Sequence, residues 1–417
     1  MSAAWAVYRA MAPLLGLIAP GARAFASSEE RALWDERLGR RALETGVDAW
    51  IHAASLGEAL GVGPLVRELE GSQPGARIHL TSMTRAGRHR LTQIRPEASL
   101  APIDAPQLVG RFLTALRPAR LFLVETELWP HWLLQASARH IPVAVVSARL
   151  SSRSVASYGR LGIGLRRLVG GLSAVLCQSD EDRDRWLLLG APPARSAVTG
   201  NLKNDALPVP VADRGGARQA LGLDPERPLI VFGSIRPGEV RLLARAWGEL
   251  PEPLRARWQV AAIPRHRHAA SGLEAEAAES GQPLARSGVP VGDAWRWDER
   301  TGVLPSYYAA AEVAVVGGTL APYGGHNPLE PAACGAAVVV GPHHESQAQA
   351  VGALLAHDAA WVTRSSAELV AALRSLVEDP VIRTARAQAA RAVVEAGRGA
   401  ARRTVERLEE WGLWPAR

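Results

Sequence analysis

The chain has 417 residues, 47% of them apolar and 21% charged, with a formal net charge of +7. This length suits two domains of about 200 residues each, and the composition excludes a disordered chain. The absence of a long like-charge block argues against a nucleic-acid surface, and two distant cysteines, Cys177 and Cys334, read as buried thiols of a reducing compartment, not a disulfide frame.

The first segment, residues 3–25, is mostly apolar but carries Arg9, Arg23, Pro13 and Pro20. A spanning helix needs about 20 apolar residues with few charges. Residues 1–28 therefore read as an amphipathic element in a bilayer interface, with Trp5 and Tyr8 at headgroup level and the arginines on phosphates. The alternative is an ordinary helix packed on the body of the protein. After Ala49, short apolar runs (AWIHA, IHLTS, RLFLVE, PVAVVS, SAVLCQS) alternate with helical periodicity, as in residues 60–69 and 107–116. Such alternation implies a parallel, doubly wound sheet. Residues 207–219, LPVPVADRGGARQ, read as a linker. A second alternating set follows: PLIVFGS, WQVAAI, EVAVVGG, AAVVVGP and AAWVT. The expected architecture is α/β: two Rossmann-like domains, residues 29–208 and 217–395, facing across a cleft. Residues 396–417 form a last helix, ending near Trp411 and Trp414, expected to cross back to the first domain.

In open α/β sheets ligands sit at the carboxyl ends of strands, so residues just after the strands are the functional candidates. The first run exits into His52-Ala53-Ala54-Ser55-Leu56-Gly57-Glu58. Gly57 permits a tight turn, and Glu58 can accept a hydroxyl proton or simply suit the first turn of a helix. A helix terminus would favour its ionised form and weaken it as a base. Glu125 and Glu127 follow Val124 and would share a face of an extended segment, lining the site or capping the helix after Pro130. Arg149 and Ser151–Ser154 follow PVAVVS and either bind an anion or form a solvated loop.

Of 48 basic Lys and Arg residues only Lys203 is lysine, and two of the three asparagines, Asn201 and Asn204, flank it. A lone lysine in such a chain suggests a site that rejects a guanidinium; drift is the alternative. In the second half, strand exits carry Arg236-Pro237-Gly238-Glu239, Pro264-Arg265-His266 and Gly324-Gly325-His326-Asn327-Pro328-Leu329-Glu330. Asn327 followed by Pro328 would open a phosphate-ready helix N-terminus. Glu330 would either close a capping box or hold ribose hydroxyls.

Taken in order, HAASLGE, TSMTRAG, VETELWP, ARLSSRS, TGNLKND, PRH and GGHNPLEP resemble the 3-deoxy-D-manno-octulosonic acid (Kdo) transferases, from about residue 30 to residue 400. The resemblance implies the two-domain GT-B fold, with an acceptor domain followed by a donor domain. It implies transfer of Kdo from CMP-Kdo to a lipid A precursor at the cytoplasmic face of the inner membrane, with no cofactor. By motif, Glu58 matches the family's general base, and Glu125 and Lys203 match residues that stabilise the transition state. Pro264 and Arg265, and the stretch Asn327, Pro328, Leu329 and Glu330, match CMP contacts. Thr301, Gly302 and Val303 align with a further CMP contact, although Val303 departs from the usual Gly-Glu there. His131 stands where the family often has Asn. A donor with one phosphate fits a metal-independent site, since a lysine, an arginine and a helix end can balance that charge. A GT-B enzyme using another nucleotide sugar, such as a UDP-sugar, is the alternative.

Overall fold

The computed structural model of the protein describes residues 3–160 and 162–415. The chain forms two compact units, one made of residues 1–206 with 397–417, the other of residues 207–396.

The first unit is built on β1 (Ala49–His52), β2 (Ile78–Ser82), β3 (Ser99–Leu100), β4 (Leu121–Val124), β5 (Val143–Ala148), β6 (Ala174–Cys177) and β7 (Ser196–Val198). They lie in the order β3-β2-β1-β4-β5-β6-β7 and every pairing is parallel. Such a sheet is covered on both faces, which is why its strands are continuous apolar runs and not alternating ones. Ile51, Phe122 and Val124 pack on one face with Leu65, Leu69 and Val405; Trp50, Leu121 and Leu123 pack on the other with Phe112 and Trp132. The terminal helix Ala400–Glu410 joins the first of these layers, and the Trp414 indole donates to Leu69 O at 3.3 Å.

The second unit uses β8 (Leu229–Ile235), β9 (Gln259–Pro264), β10 (Leu284–Ala285), β11 (Trp295–Trp297), β12 (Val313–Val316), β13 (Ala337–Val340) and β14 (Ala360–Val362). Their order is β10-β11-β9-β8-β12-β13-β14, again all parallel. In each sheet the winding reverses once, between β1 and β4 and between β8 and β12. Within each sheet, the carboxyl ends of that strand pair flank the crevice in which a doubly wound fold binds ligands.

Several sequence expectations are corrected. β3, β7, β10 and β11 are two or three residues long and carry no readable apolar run. The linker gives way to a helix at Arg214–Ala220. Asp213 caps it by accepting Gly216 N–H at 2.9 Å, and buried Arg218 ties it to Ala310 O and Glu312, so tertiary contacts override the two glycines. The N-terminal helix runs unbroken over Ala3–Ala24, through both prolines. Each proline removes only its own backbone donor, and the two stand seven residues apart on one side of the helix. Trp5 and Tyr8 do not sit at headgroup level. Trp5 is 4% exposed and lies against Gly164, while the Tyr8 hydroxyl donates to Asp104. The side chain of Arg9 lies outside the described residues. Among the described residues no helix is long and apolar enough to cross a membrane.

Candidate active site

Glu58 and Glu125 leave the two strands at the switch point of the first sheet. β1 runs into a four-residue helix, Leu56–Ala59, capped by Ser55, whose hydroxyl accepts Glu58 N–H at 3.3 Å. The Glu58 carboxylate turns back and accepts Ala54 N–H at 2.6 Å and the Ser55 hydroxyl at 3.0 Å. The capping role and a carboxylate at the strand exit therefore coexist. Burial, then the negative charge of Glu127, with Glu125 adding to it, pushes the Glu58 carboxyl up to about 7; the Ala54 and Ser55 hydrogen bonds oppose this. The expected weakening by a helix terminus does not prevail, because one turn of helix carries little dipole against burial and two nearby carboxylates.

Glu125 and Glu127 do not share an extended face. Glu125 adopts a left-handed conformation at φ 63°, a strained state for a residue with a Cβ. The turn sends the two side chains to different partners. Glu125 Oε1 lies 2.5 Å from Lys203 Nζ. Glu127 Oε2 accepts the Trp129 indole N–H at 2.7 Å and lies 3.8 Å from His52 Nε2. On its other side, His52 Nδ1 lies 2.9 Å from Thr81 Oγ1, which also accepts Trp50 Nε1–H at 2.7 Å. Fully buried, His52 is held below the usual imidazole range. Neither glutamate caps the helix Pro130–Ala138. Asp104 does so, accepting the N–H groups of His131 and Trp132 at 3.3 and 3.1 Å.

Lys203 is placed by its backbone. β5 bulges between Val145 and Ala148, where Ser147 takes φ 50° and its hydroxyl accepts Leu202 N–H at 3.2 Å. Asn201 Oδ1 accepts Lys203 N–H at 3.0 Å, Asn204 donates to Gly397 O, and Asp205 accepts Gly399 and Ala401 N–H at 2.5 and 2.6 Å. The scarce asparagines thus hold the segment that presents the lysine. Ser151 is a helix cap, accepting Ser154 N–H at 3.1 Å, and Arg149 and Arg153 are exposed.

In the second unit the switch-point exits meet through Glu239, a strand-exit residue to which the sequence assigned no role of its own. Glu239 is fully buried and accepts four backbone N–H groups: Arg236 and Gly318 at 2.8 Å, Leu320 at 2.9 Å and Ala321 at 3.3 Å. It locks the β8 exit to the β12 exit. Its sequence signal was the Gly238-Glu239 pair, a repeat of Gly57-Glu58 after the first strand of a sheet. Gly318 packs on both His326 and Arg236, and Gly325 at φ 86° brings the loop back against Thr319 and His343. Burial, then the cations Arg265 and Arg236 with His266, pushes His326 down to about 4. His266 is lowered by burial and by the same two arginines. The Arg236 guanidinium stacks 4.3 Å over Tyr323.

Asn327, Glu330 and Arg265 come together. The Glu330 carboxyl is raised by burial, while Arg265 and the Asn327 side chain counter the rise. The expected anion site at a helix N-terminus is not built. The helix has only five residues, Leu329–Ala333; Pro328 has no N–H, and that of Leu329 is taken by Asn327 Oδ1 at 3.1 Å. Pro328 is buried and Leu329 packs on the core, so neither side chain offers a polar contact. Pro264 ends β9 and turns the exposed Arg265 outward. Thr301 and Gly302 are exposed and Val303 packs on the core beside Leu304. Among the described residues no hydrogen bond or ion pair ties these three to Arg265 or Asn327.

Residues 32–206 match the family model described as 3-deoxy-D-manno-octulosonic-acid transferase (kdotransferase). The 3-deoxy-D-manno-octulosonic acid transferase of Bordetella pertussis is 37% identical over 388 residues, covering 87% of each chain. That of Haemophilus influenzae is 30% identical and covers 70% of each chain. Among solved structures, a UDP-GlcNAc 2-epimerase from Neisseria meningitidis superposes with a TM-score of 0.60 at 15% identity, covering 87% of this chain and 99% of its own. At that identity the likeness speaks for the fold alone: two Rossmann-like domains.

Proposed function

The chain belongs to the 3-deoxy-D-manno-octulosonic acid (Kdo) transferases, and from that premise we propose that it moves Kdo from CMP-Kdo to a lipid A precursor, with Glu58 as general base. One observation carries the reading: Glu58, at a switch-point strand exit, has a carboxyl raised to about 7 beside two further carboxylates. A base poised near the working pH is the most effective one. The acceptor hydroxyl oxygen attacks the anomeric carbon of Kdo as its proton passes to Glu58. The bond from that carbon to the CMP phosphate oxygen breaks, and CMP leaves with the electron pair.

The Glu125–Lys203 pair offers both signs of charge at one place. Its carboxylate suits positive charge developing on the sugar, and its ammonium suits the Kdo carboxylate or the departing phosphate. The donor half of the reading rests on Arg265, with Arg236, His266 and His326 gathered near it, and on Asn327 and Glu330 for the nucleotide. The two guanidinium groups of the second unit can balance a single phosphate without a divalent metal. The N-terminal helix supports a peripheral place on the cytoplasmic leaflet of the inner membrane. Its inner side holds Trp5, Tyr8 and Ala12, while Val7, Met11, Leu14, Leu15 and Ile18 are exposed.

Incubation with CMP-Kdo and a tetra-acylated lipid A precursor, read by mass spectrometry, tests the reading. One or more Kdo additions, retained in excess EDTA, are expected. Transfer from a UDP-sugar instead, or loss on chelation with rescue by Mg²⁺, contradicts it.

A further inference from the structure

Beside the carboxylate cluster the first unit encloses a cavity of about 270 Å³, walled by Trp5, Tyr8, Trp129, Pro130 and Tyr158, with Glu127 at its edge. Five aromatic and ring-bearing side chains invite two kinds of guest, a sugar ring or a hydrocarbon chain. The hydrogen bonds decide between them. Buried Tyr and Trp normally spend their polar tips on a partner, and here the partners are all protein. The Tyr8 hydroxyl goes to Asp104, the Tyr158 hydroxyl to Thr126 O at 3.3 Å, and the Trp129 indole to Glu127 at 2.7 Å. The Thr126 hydroxyl itself goes to Arg149 O. What remains facing the cavity is mostly apolar, with the Glu127 carboxylate as its one charged lining group. A sugar placed there could donate to Glu127, but the hydrogens of Tyr8, Tyr158, Trp129 and Thr126 are already committed, so most of its hydroxyls would be buried without partners, which is costly. An apolar cavity of about 150 Å³ is already large enough to hold benzene.

The surroundings name the source of the chain. Trp5 and Tyr8 belong to the N-terminal helix, whose other side exposes Val7, Met11, Leu14, Leu15 and Ile18. The cavity therefore lies between a helix whose outer side is apolar and Glu127, the neighbour of the proposed base. We propose that this cavity takes one hydrocarbon chain of the lipid acceptor, a proposal that rests on the acceptor reading above. The N-terminal helix is then a wall of the acceptor site as well as a membrane contact.

The test is photocross-linking of the full-length protein in detergent. The probe is a bis-phosphorylated, acylated disaccharide with a diazirine midway along one acyl chain; a second probe carries it on the sugar. The acyl probe should label peptides containing Trp5–Tyr8 and Thr126–Pro130, and the sugar probe should not. Trp5→Ala should lower that labelling. It should also raise KM for acylated over deacylated acceptor about tenfold, the worth of roughly two buried methylenes. Trp5→Phe should restore most of both. Labelling confined to Met11–Ile18, labelling of the cavity by the sugar probe, or an equal KM change for both acceptors overturns the proposal. Cavity labelling by a lipid that receives no Kdo leaves the cavity's occupant standing and removes the acceptor reading instead.

Discussion

Glu58 and Glu239 occupy the same place in their own units. Each follows a glycine, each stands in the first turn of a helix just after the first strand of a parallel sheet, and each stands where the winding of that sheet reverses. Their partners differ. Glu239 is closed on all sides by four backbone N–H groups from the exits of β8 and β12. Glu58 has one backbone N–H and one hydroxyl, and faces the charges of Glu127 and Glu125. The same strand-turn-helix signal yields a structural clamp in one unit and a proposed base in the other. Burial raises both carboxyls, but at Glu239 four backbone N–H groups oppose the rise and occupy its lone pairs, whereas at Glu58 the charges of Glu127 and Glu125 add to it.

The largest expected effect separates the two directly. Glu58→Gln should lower kcat by about 10²–10⁴ with little change in CMP-Kdo binding or melting temperature. A rate near that of the unaltered protein would end the contrast. Lys203→Ala comes next. Loss of a charge that stabilises the transition state costs about 10²–10³ in rate, and Lys203→Arg should recover little of it. The ammonium meets Glu125 Oε1 at a single point 2.5 Å away, and a planar fork does not fit that contact. Equal rates for Lys203→Arg and the natural sequence would make the lone lysine a product of drift.

Glu239→Gln should behave in the opposite way to Glu58→Gln. Its amide nitrogen would face backbone N–H groups that need an acceptor, at a cost on the order of 1–3 kcal/mol for each buried donor left unpaired. Thermal unfolding should begin several degrees earlier and KM for CMP-Kdo should rise, with kcat less affected than in Glu58→Gln. A drop in kcat alone would place Glu239 in the chemistry. Smallest is Glu127→Gln. Removing that charge should lower the Glu58 pKa, so that the base form persists to lower pH. At pH 7 a carboxyl near 7 is about half ionised, so the gain there is at most about twofold. The sign, read from the acid side of the profile, is the informative part.

The long apolar runs of β1, β4, β5, β8, β9, β12 and β13 were legible because central parallel strands are buried on both faces. β3, β7, β10 and β11 were not, since two or three residues carry no period; β11 even holds a buried Arg296, paired with Gly222 O and Gly288 O. At the site, Glu58, Glu125 and Lys203 could be located as residues that follow strands. Their relations could not. The left-handed turn at Glu125, the Ser147 bulge that seats Lys203 and the setting of His52 between Thr81 and Glu127 depend on contacts between distant parts of the chain. Trp5 and Tyr8 were assigned to the bilayer because an apolar helix looks the same from either side; Asp104 and Gly164, more than 90 residues away, determine which side faces the protein.

The central claim is that a glutamate raised by burial and by the charges of its neighbours takes the acceptor's proton. Its most direct test is kcat/KM against pH, from 5 to 9, for the natural sequence and Glu58→Gln. Because the group is raised and must be ionised to act, activity should fall as pH drops through about 7 in the natural sequence. The residual activity of Glu58→Gln should show no such limb. A limb near 7 that survives in Glu58→Gln would assign the base to another residue.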